Sequence, residues 1–373
     1  MKKLTYLIAI TLGAVLASCS SDAELGERAE EELLTPISFL SFTKKATRGV
    51  EATRTQKLED YHTTFAVYGY KYIQGVEQPP VFDNVKVTFK PSTEPDKEGF
   101  WEYSPITYWD KDADGGYSFF AVAPYRVSDD ARFNWKWDAV NKKFSISGFT
   151  VSSKSLAPSP EISNGAVFSV DNDLMVSTDI IGYKDFSSND VNLSFNHVLT
   201  RINIGVRKDQ AMEADEVVLK SLTLHNTYCQ GDYDEARGES EGRKISSWNG
   251  LDKVQTEGIG YSQETAITTS FNYIYQALFI PQTVAYAHCP LNGYGLDAQS
   301  AAYLHIVYTV NGETFSSYYN LADIFNGNEE TDFTFGEGWQ TTLRININSS
   351  EYRINFDAHA YEWATQSQDF DIY

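Results

Sequence analysis

Cysteine and methionine are scarce in this chain of 373 residues, at three each. Cys19, Cys229 and Cys289 are too few and too scattered for the disulfide framework that staples small exported domains; Cys229 and Cys289 either pair or stay as separate thiols. Basic residues are also in deficit, with 30 Lys and Arg against 51 Asp and Glu and a net charge of −21. That balance excludes nucleic acid as a partner, because phosphate binding depends on Lys and Arg displacing counterions. It equally excludes docking on anionic lipid through a polybasic face. Glycine and proline, at 24 and 11, are too few for a collagen-like or low-complexity scaffold.

Motifs for chemistry are sparse as well. The six histidines (His62, His197, His225, His288, His305 and His359) contain no H-E-x-x-H and no other close pair at metal-ligand spacing. No G-x-x-x-x-G-K-[ST] phosphate loop occurs, and carboxylates are too numerous for one pair to stand out as an acid/base couple. The expectation is a protein that is not an enzyme and has no cofactor. His197, within Phe195-Asn196-His197-Val198-Leu199, is expected to be a structural histidine. One acidic run copies the first six positions of an EF-hand loop, Asp110-Lys111-Asp112-Ala113-Asp114-Gly115, but its twelfth position is Ala121 where a bidentate Glu belongs. Asp110, Asp112 and Asp114 are therefore a weak calcium candidate, with an acidic strand connection as the alternative.

Long apolar runs are missing except at the start. Met1-Lys2-Lys3 precedes Leu4 to Leu16, a 13-residue apolar run. A resident transmembrane helix needs about 20 residues, so the layout is that of a secretory signal peptide, residues 1–18. It ends in Leu16-Ala17-Ser18-Cys19, which looks like a bacterial lipobox with Cys19 as the acylated residue. Loss of Lys2 and Lys3 makes the exported body more negative still. Residues 19–36, rich in Glu, read as an acidic tether that holds a folded body off an outer membrane.

Aromatic residues are abundant, at 14%, with 24 Tyr and 22 Phe. Aromatic and β-branched residues suit pleated surfaces, and alternating segments follow one another along the body. Thr64 to Tyr68 and Val85 to Phe89 alternate. Val191, Leu193 and Phe195 share one parity while Ile202, Ile204 and Val206 share the other, which requires a bulge or break near residues 199–201. Leu304 to Val310, Asn311-Gly312 and Glu313 to Tyr319 spell a hairpin with a type I′ turn. The fold class expected is all-β, with two β-sandwich domains of transthyretin-like or Greek-key type in tandem. The polar stretch Asp185 to Asp190 places the division between 37–187 and 188–373. Trp135-Lys136-Trp137 puts two indoles on one side of a strand, either as core or edge residues or as a platform for a sugar face.

Four stretches, in order, resemble the fimbrillins, the Mfa-like pilin subunits of type V pili. The first is the lipobox followed by the strand Ile37-Ser38-Phe39-Leu40-Ser41-Phe42 and Lys45-Ala46-Thr47-Arg48. The second runs from Trp109 to Tyr117-Ser118-Phe119-Phe120-Ala121-Val122-Ala123-Pro124, similar to the family's W-P…Y-x-F-x-A-Y-x-P, with Asp110 in place of Pro and Val122 in place of Tyr. The third, Asp173-Leu174-Met175 with Val191 to Leu199, is similar to D-L-M…V-x-L-x-F-x-H-x-L, and the fourth is the closing hairpin, Leu343 to Trp363.

The resemblance implies a subunit carried to the outer membrane as a lipoprotein and cut by an arginine-specific protease. The cut removes the first strand, and a neighbour's strand fills the groove. In this chain the cut would follow Arg48 or Arg54, both preceded by Ala-Thr, with Arg48 the nearer to the strand. Ile37, Phe39 or Leu40, and Phe42 are the candidate plugs, and Phe370 and Ile372 alternate in the tail as a donor strand should. The partners implied are other pilin subunits, the outer membrane through lipid on Cys19, and a surface glycan or protein receptor. The competing expectation is a lipid-anchored glycan-binding protein.

Overall fold

The computed structural model describes residues 35–43, 57–60, 62–94, 97–125, 134–138, 143–151, 173–177, 180–186, 190–237, 244–253, 259–286, 301–326, 331–349 and 354–362. All of them fall within one contact unit, residues 35–373. Among the described residues no helix is long and apolar enough to cross a membrane.

The chain is built almost wholly of strands. The first group is β1 (Ser38–Thr43), β2 (Thr64–Ile73), β3 (Val76–Glu77), β4 (Phe82–Lys90), β5 (Phe100–Glu102), β6 (Gly116–Ala123), β7 (Asn134–Asp138) and β8 (Lys143–Thr150). Then come β9 (Met175–Ser177), β10 (Ile180–Tyr183), β11 (Asp190–His197), β12 (Thr200–Lys208), β13 (Val217–His225), β14 (Tyr228–Arg237), β15 (Lys244–Lys253) and β16 (Ile259–Tyr261). The last group is β17 (Thr265–Ala266), β18 (Asn272–Phe279), β19 (Gln282–Val284), β20 (Tyr303–Val310), β21 (Glu313–Asn320), β22 (Phe333–Phe335), β23 (Trp339–Ile347) and β24 (Ile354–Glu362). A short helix, α1 (Leu321–Asn326), follows β21.

The largest sheet has nine strands in the order β1-β11-β9-β6-β2-β4-β5, with β10 paired to β6 and β3 to β2. Its main-path pairs are antiparallel except at one edge, where β1 lies parallel to β11. The sheet curls, so that β1 and β5 from opposite ends of the order touch. The concave side encloses an aromatic core of Phe39, Phe65, Phe82, Trp109, Tyr117, Phe119 and Phe195 among others. On the other side Tyr68, Tyr70, Phe120 and Val176 pack with Ile146, Phe149 and Tyr233 of the sheet β15-β14-β8-β7. Hence β6 is buried at all eight positions.

A separate core lies between the sheets β18-β12-β23-β24 and β16-β13-β20-β21. Ile202, Ile204, Val206, Leu343 and Ile345 meet Leu219, Leu222, Leu224, Leu304 and Ile306 there. The expected hairpin is present: Val310 faces Glu313, and Asn311 and Gly312 have φ of 49° and 88°, the left-handed values a type I′ turn needs. The parity change near residue 200 is a strand break, since β11 ends at His197 in one sheet and β12 begins at Thr200 in another.

The expected division at 187/188 is corrected by the pairing. β11 belongs to the first sheet, and β14 and β15 share a sheet with β7 and β8, so two sheets draw strands from both sides of that boundary. The polar residues at 185–190 fall between β10 and β11 of one sheet, and Phe186 stacks on Trp109 at 5.4 Å.

On the outward face of β13, β20 and β21, His225 stacks on Tyr303 at 4.7 Å and His305 on Tyr318 at 4.1 Å. Burial pushes both imidazoles below their ordinary value of 6.5, and the nearness of His305 adds to the effect on His225. The unfolded chain therefore takes up protons first as pH falls, and stability is lost from about pH 6.5 downward. The melting temperature should drop between pH 7 and pH 5, and the drop should be smaller in a His225→Gln/His305→Gln variant.

Candidate functional site: the first strand and its seat

The seat of β1 is made of two backbone edges and one aromatic cage. Along one side Ser38 to Thr43 run beside Asp190 to Phe195 in continuous register. On the other side only the beginning is held. Ile37 N–H donates to the Thr107 carbonyl (2.9 Å) and Trp109 N–H to the Thr35 carbonyl (3.0 Å). Tyr103 donates its hydroxyl to the Ile37 carbonyl (2.7 Å), and back on the β11 side Ser38 Oγ donates to Asp190 Oδ1 (2.5 Å).

Alternation along an edge strand decides which side chains enter the core. Ile37 and Phe39 are 2% exposed and Ser41 6%, whereas Leu40 is 40% exposed. The plug is thus Phe39 and not Leu40, which points the other way. Phe42 pairs with Ser194 through its backbone, but its side chain lies outside the described set. Phe39 is ringed by Phe82 (5.4 Å between centroids), Tyr103 (5.6 Å), Phe119 (6.0 Å) and Phe65 (6.2 Å), mostly edge-on. Such arrangements let the positive ring edge meet a negative face. Gly69 makes the cage possible, since a Cβ there would stand 2.8 Å from Phe82 and 3.0 Å from Phe119.

Residues of the second and third resembling stretches are supports for this seat. Trp109 packs against Tyr117 (4.8 Å), Tyr183 (5.3 Å) and Phe119 (5.9 Å). His197 Nδ1 lies 2.8 Å from Asp173 Oδ2 with both side chains buried, and His62 Nε2 lies 2.8 Å from the Asp173 carbonyl. His197 is thus a structural histidine that ties the start of β9 to the end of β11. Two of the three aspartates of the calcium candidate, Asp110 and Asp114, are engaged in local structure through their carboxylates, and Asp112 takes part through its backbone. Asp110 bonds Lys71 Nζ (2.5 Å) and Asp112 N–H (2.9 Å), and Asp114 accepts from Gln74 N–H (2.6 Å). The Lys71 ammonium holds the Asp110 carboxyl below the usual carboxylate range. Among the described residues no group of three or more acidic, His or Cys side chains could hold a metal.

Sequence reasoning missed Tyr103, Phe82 and Asp190, which touch β1 from far along the chain and have no local signal. It also passed over Gly238-Glu239-Ser240-Glu241-Gly242, which spells G-x-S-x-G. That segment joins the paired antiparallel strands β14 and β15, not a strand to a helix as a nucleophile elbow requires. Cys19, Arg48, Arg54, Cys289, Phe370 and Ile372 lie outside the described residues, as do the side chains of Cys229, Trp135 and Trp137.

In the uncut protein Phe39→Ala should cost about 3–5 kcal/mol, as large core truncations do. Leu40→Ala should cost less than about 1 kcal/mol, because its side chain stays partly in water. Urea unfolding of the two variants checks the difference.

A model of the fimbrillin-like family matches residues 47–363. No curated protein matches the sequence. Among solved structures, a fimbrial protein from Bacteroides vulgatus is similar at 16% identity, TM-score 0.49, covering 88% of this chain and 99% of the other. The tip fimbrial protein of Porphyromonas gingivalis, with a C-terminal truncation, is similar at 11% identity, TM-score 0.38, covering 88% and 100%. With a family match that spans most of the sequence, the chain belongs to the fimbrillin-like family.

Proposed function

We propose that the protein is a subunit of a surface pilus that assembles by strand replacement. On this reading it is exported as a lipoprotein acylated at Cys19 and reaches the outer membrane. A protease that cuts after arginine then severs the chain at Arg48, with Arg54 as the second candidate. β1 leaves, and a strand from a neighbouring subunit takes its place beside β11. The observation that carries this reading is the seat itself: an edge strand that, with the residue before it, buries Ile37 and Phe39 in an aromatic core built by distant parts of the chain.

The energetics favour a replaceable strand. Burying Ile37 and Phe39 contributes about 1.5–3 kcal/mol each, and each net backbone hydrogen bond about 0.5–1.5 kcal/mol. While β1 is covalently attached, its effective concentration at the seat excludes a strand from another molecule. Cleavage removes that advantage without changing the seat. An incoming strand needs apolar side chains at two positions spaced by two residues, as Ile37 and Phe39 are. Phe370 and Ile372 have that spacing in this chain's own tail. Membership of the fimbrillin-like family supports the same reading, and adhesion to other cells would be the role of the assembled fibre.

Incubating the purified protein with an arginine-specific protease should yield a new N-terminus after Arg48 and a ladder of polymers resistant to detergent. Arg48→Ala should abolish both products if Arg48 is the site, while Arg54→Ala leaves them. Complete cleavage without polymers, or polymers without cleavage, would refute strand replacement.

A further inference from the structure

The seam where β1 meets β5 gathers apolar side chains that the fold leaves in water. Among the described residues five large apolar side chains are exposed: Leu40, Val76, Phe100, Ile106 and Tyr108. Val76 belongs to the β2–β3 turn, and the other four lie at this seam. β1 and β5 touch, and Phe100 opens β5 at 59% exposure while the next residue, Trp101, packs on Phe65 at 4.9 Å. Pro36 and Tyr108 form an antiparallel bridge and Ile37 N–H donates to the Thr107 carbonyl, so residues 106–108 run along the start of β1. Ile106 is 60% exposed there and Tyr108 45%, and Leu40 points outward from β1 itself. Exposed apolar residues scattered singly are ordinary, whereas a group of them rimmed by polar residues marks an interaction surface.

Charge around the seam is balanced, although the chain as a whole carries −21. From 98 to 110 the sequence has three acids and no base. Each of the three is met by a lysine from another stretch: Glu98 by Lys57 (2.6 Å), Glu102 by Lys90 (3.0 Å) and Asp110 by Lys71 (2.5 Å). Exposed pairs of this kind do little for the stability of a fold. Their effect here is to leave the apolar group without net charge around it. A cationic partner would gain nothing from such a surface. An acidic partner, repelled by like charge elsewhere on this chain, meets no repulsion here.

We infer that Phe100, Ile106 and Tyr108 form a dock for a second copy of this chain. The inference rests on strand replacement: when a neighbour's strand takes the seat of β1, the body that carries the strand rests on this surface beside it. A cut at Arg48 or Arg54 removes Leu40 with β1, whereas Phe100, Ile106 and Tyr108 lie later in the chain and stay. The surface is therefore continuous with the seat and outlasts the strand that leaves it. Its make-up is that of an interface core, with aromatic and aliphatic side chains in the middle and paired charges at the margin. A second copy is as acidic as the first, which makes a charge-balanced apolar surface the place where the two bodies approach without repulsion.

Sedimentation of the full chain after treatment with an arginine-specific protease, over a series of concentrations, tests it. A Phe100→Ser/Ile106→Ser variant should be cut as fast as the wild type and release β1. It should need about tenfold or more protein to polymerise, the factor that covering one large apolar side chain supplies. Ile106→Ser alone should need about threefold to tenfold more and decides the matter if the double variant unfolds. Val76→Ser, which removes the exposed apolar side chain away from the seam, should polymerise as the wild type does. Wild-type polymerisation by a folded variant at Phe100 and Ile106, or an equal loss in Val76→Ser, would overturn the dock while strand replacement stands, and would leave this surface to a partner of other chemistry. No polymer from the cut wild-type protein would overturn strand replacement and the dock with it.

Discussion

The insertion of Phe39 into the cage of Phe65, Phe82, Tyr103 and Phe119 is the contact on which the first sheet depends. Every ring of that cage comes from a different stretch of chain, and only the plug comes from β1. Take β1 away and two needs appear together: an apolar hollow open to water and a bare backbone edge along β11. Proteins cover or blunt such edges because they template pairing with other chains. A strand of matching spacing answers both needs at once, which makes the edge a built-in address for a neighbour.

The aromatic wealth of the chain follows from the same geometry. A curled sheet buried on both faces needs large side chains on successive residues of its central strands, and Phe119 and Phe120 of β6 supply them, one to each core. Negative charge is left to the exterior, where pairs such as Lys57–Glu98 and Lys97–Glu94 are highly exposed and contribute little to stability.

Much of the architecture was legible before any coordinates. The Asn311-Gly312 hairpin was readable because one turn type demands left-handed backbone at two successive residues, and the break near Thr200 because alternation cannot change parity within one strand. The all-β class followed from aromatic and β-branched alternation. The division at 187/188 was misplaced because a polar loop between β10 and β11 has the composition of a linker, and only long-range pairing distinguishes them. At the site, the apolar pair Ile37 and Phe39 was visible, but the choice of Phe39 over Leu40 was not, since both neighbours are apolar and register alone decides. Tyr103 and Asp190 contact β1 across large sequence separations that no local pattern encodes.

The central claim is that β1 must physically leave its seat for subunits to join. Leu40 and Asn192 stand opposite each other in the β1–β11 register, and both side chains are exposed. A Leu40→Cys/Asn192→Cys variant, oxidised to a disulfide, would hold β1 in place after the chain is cut at Arg48. Polymer formation by this variant should be absent while the disulfide is intact and should appear once it is reduced. Polymers formed equally well with the disulfide intact would contradict strand replacement at this seat.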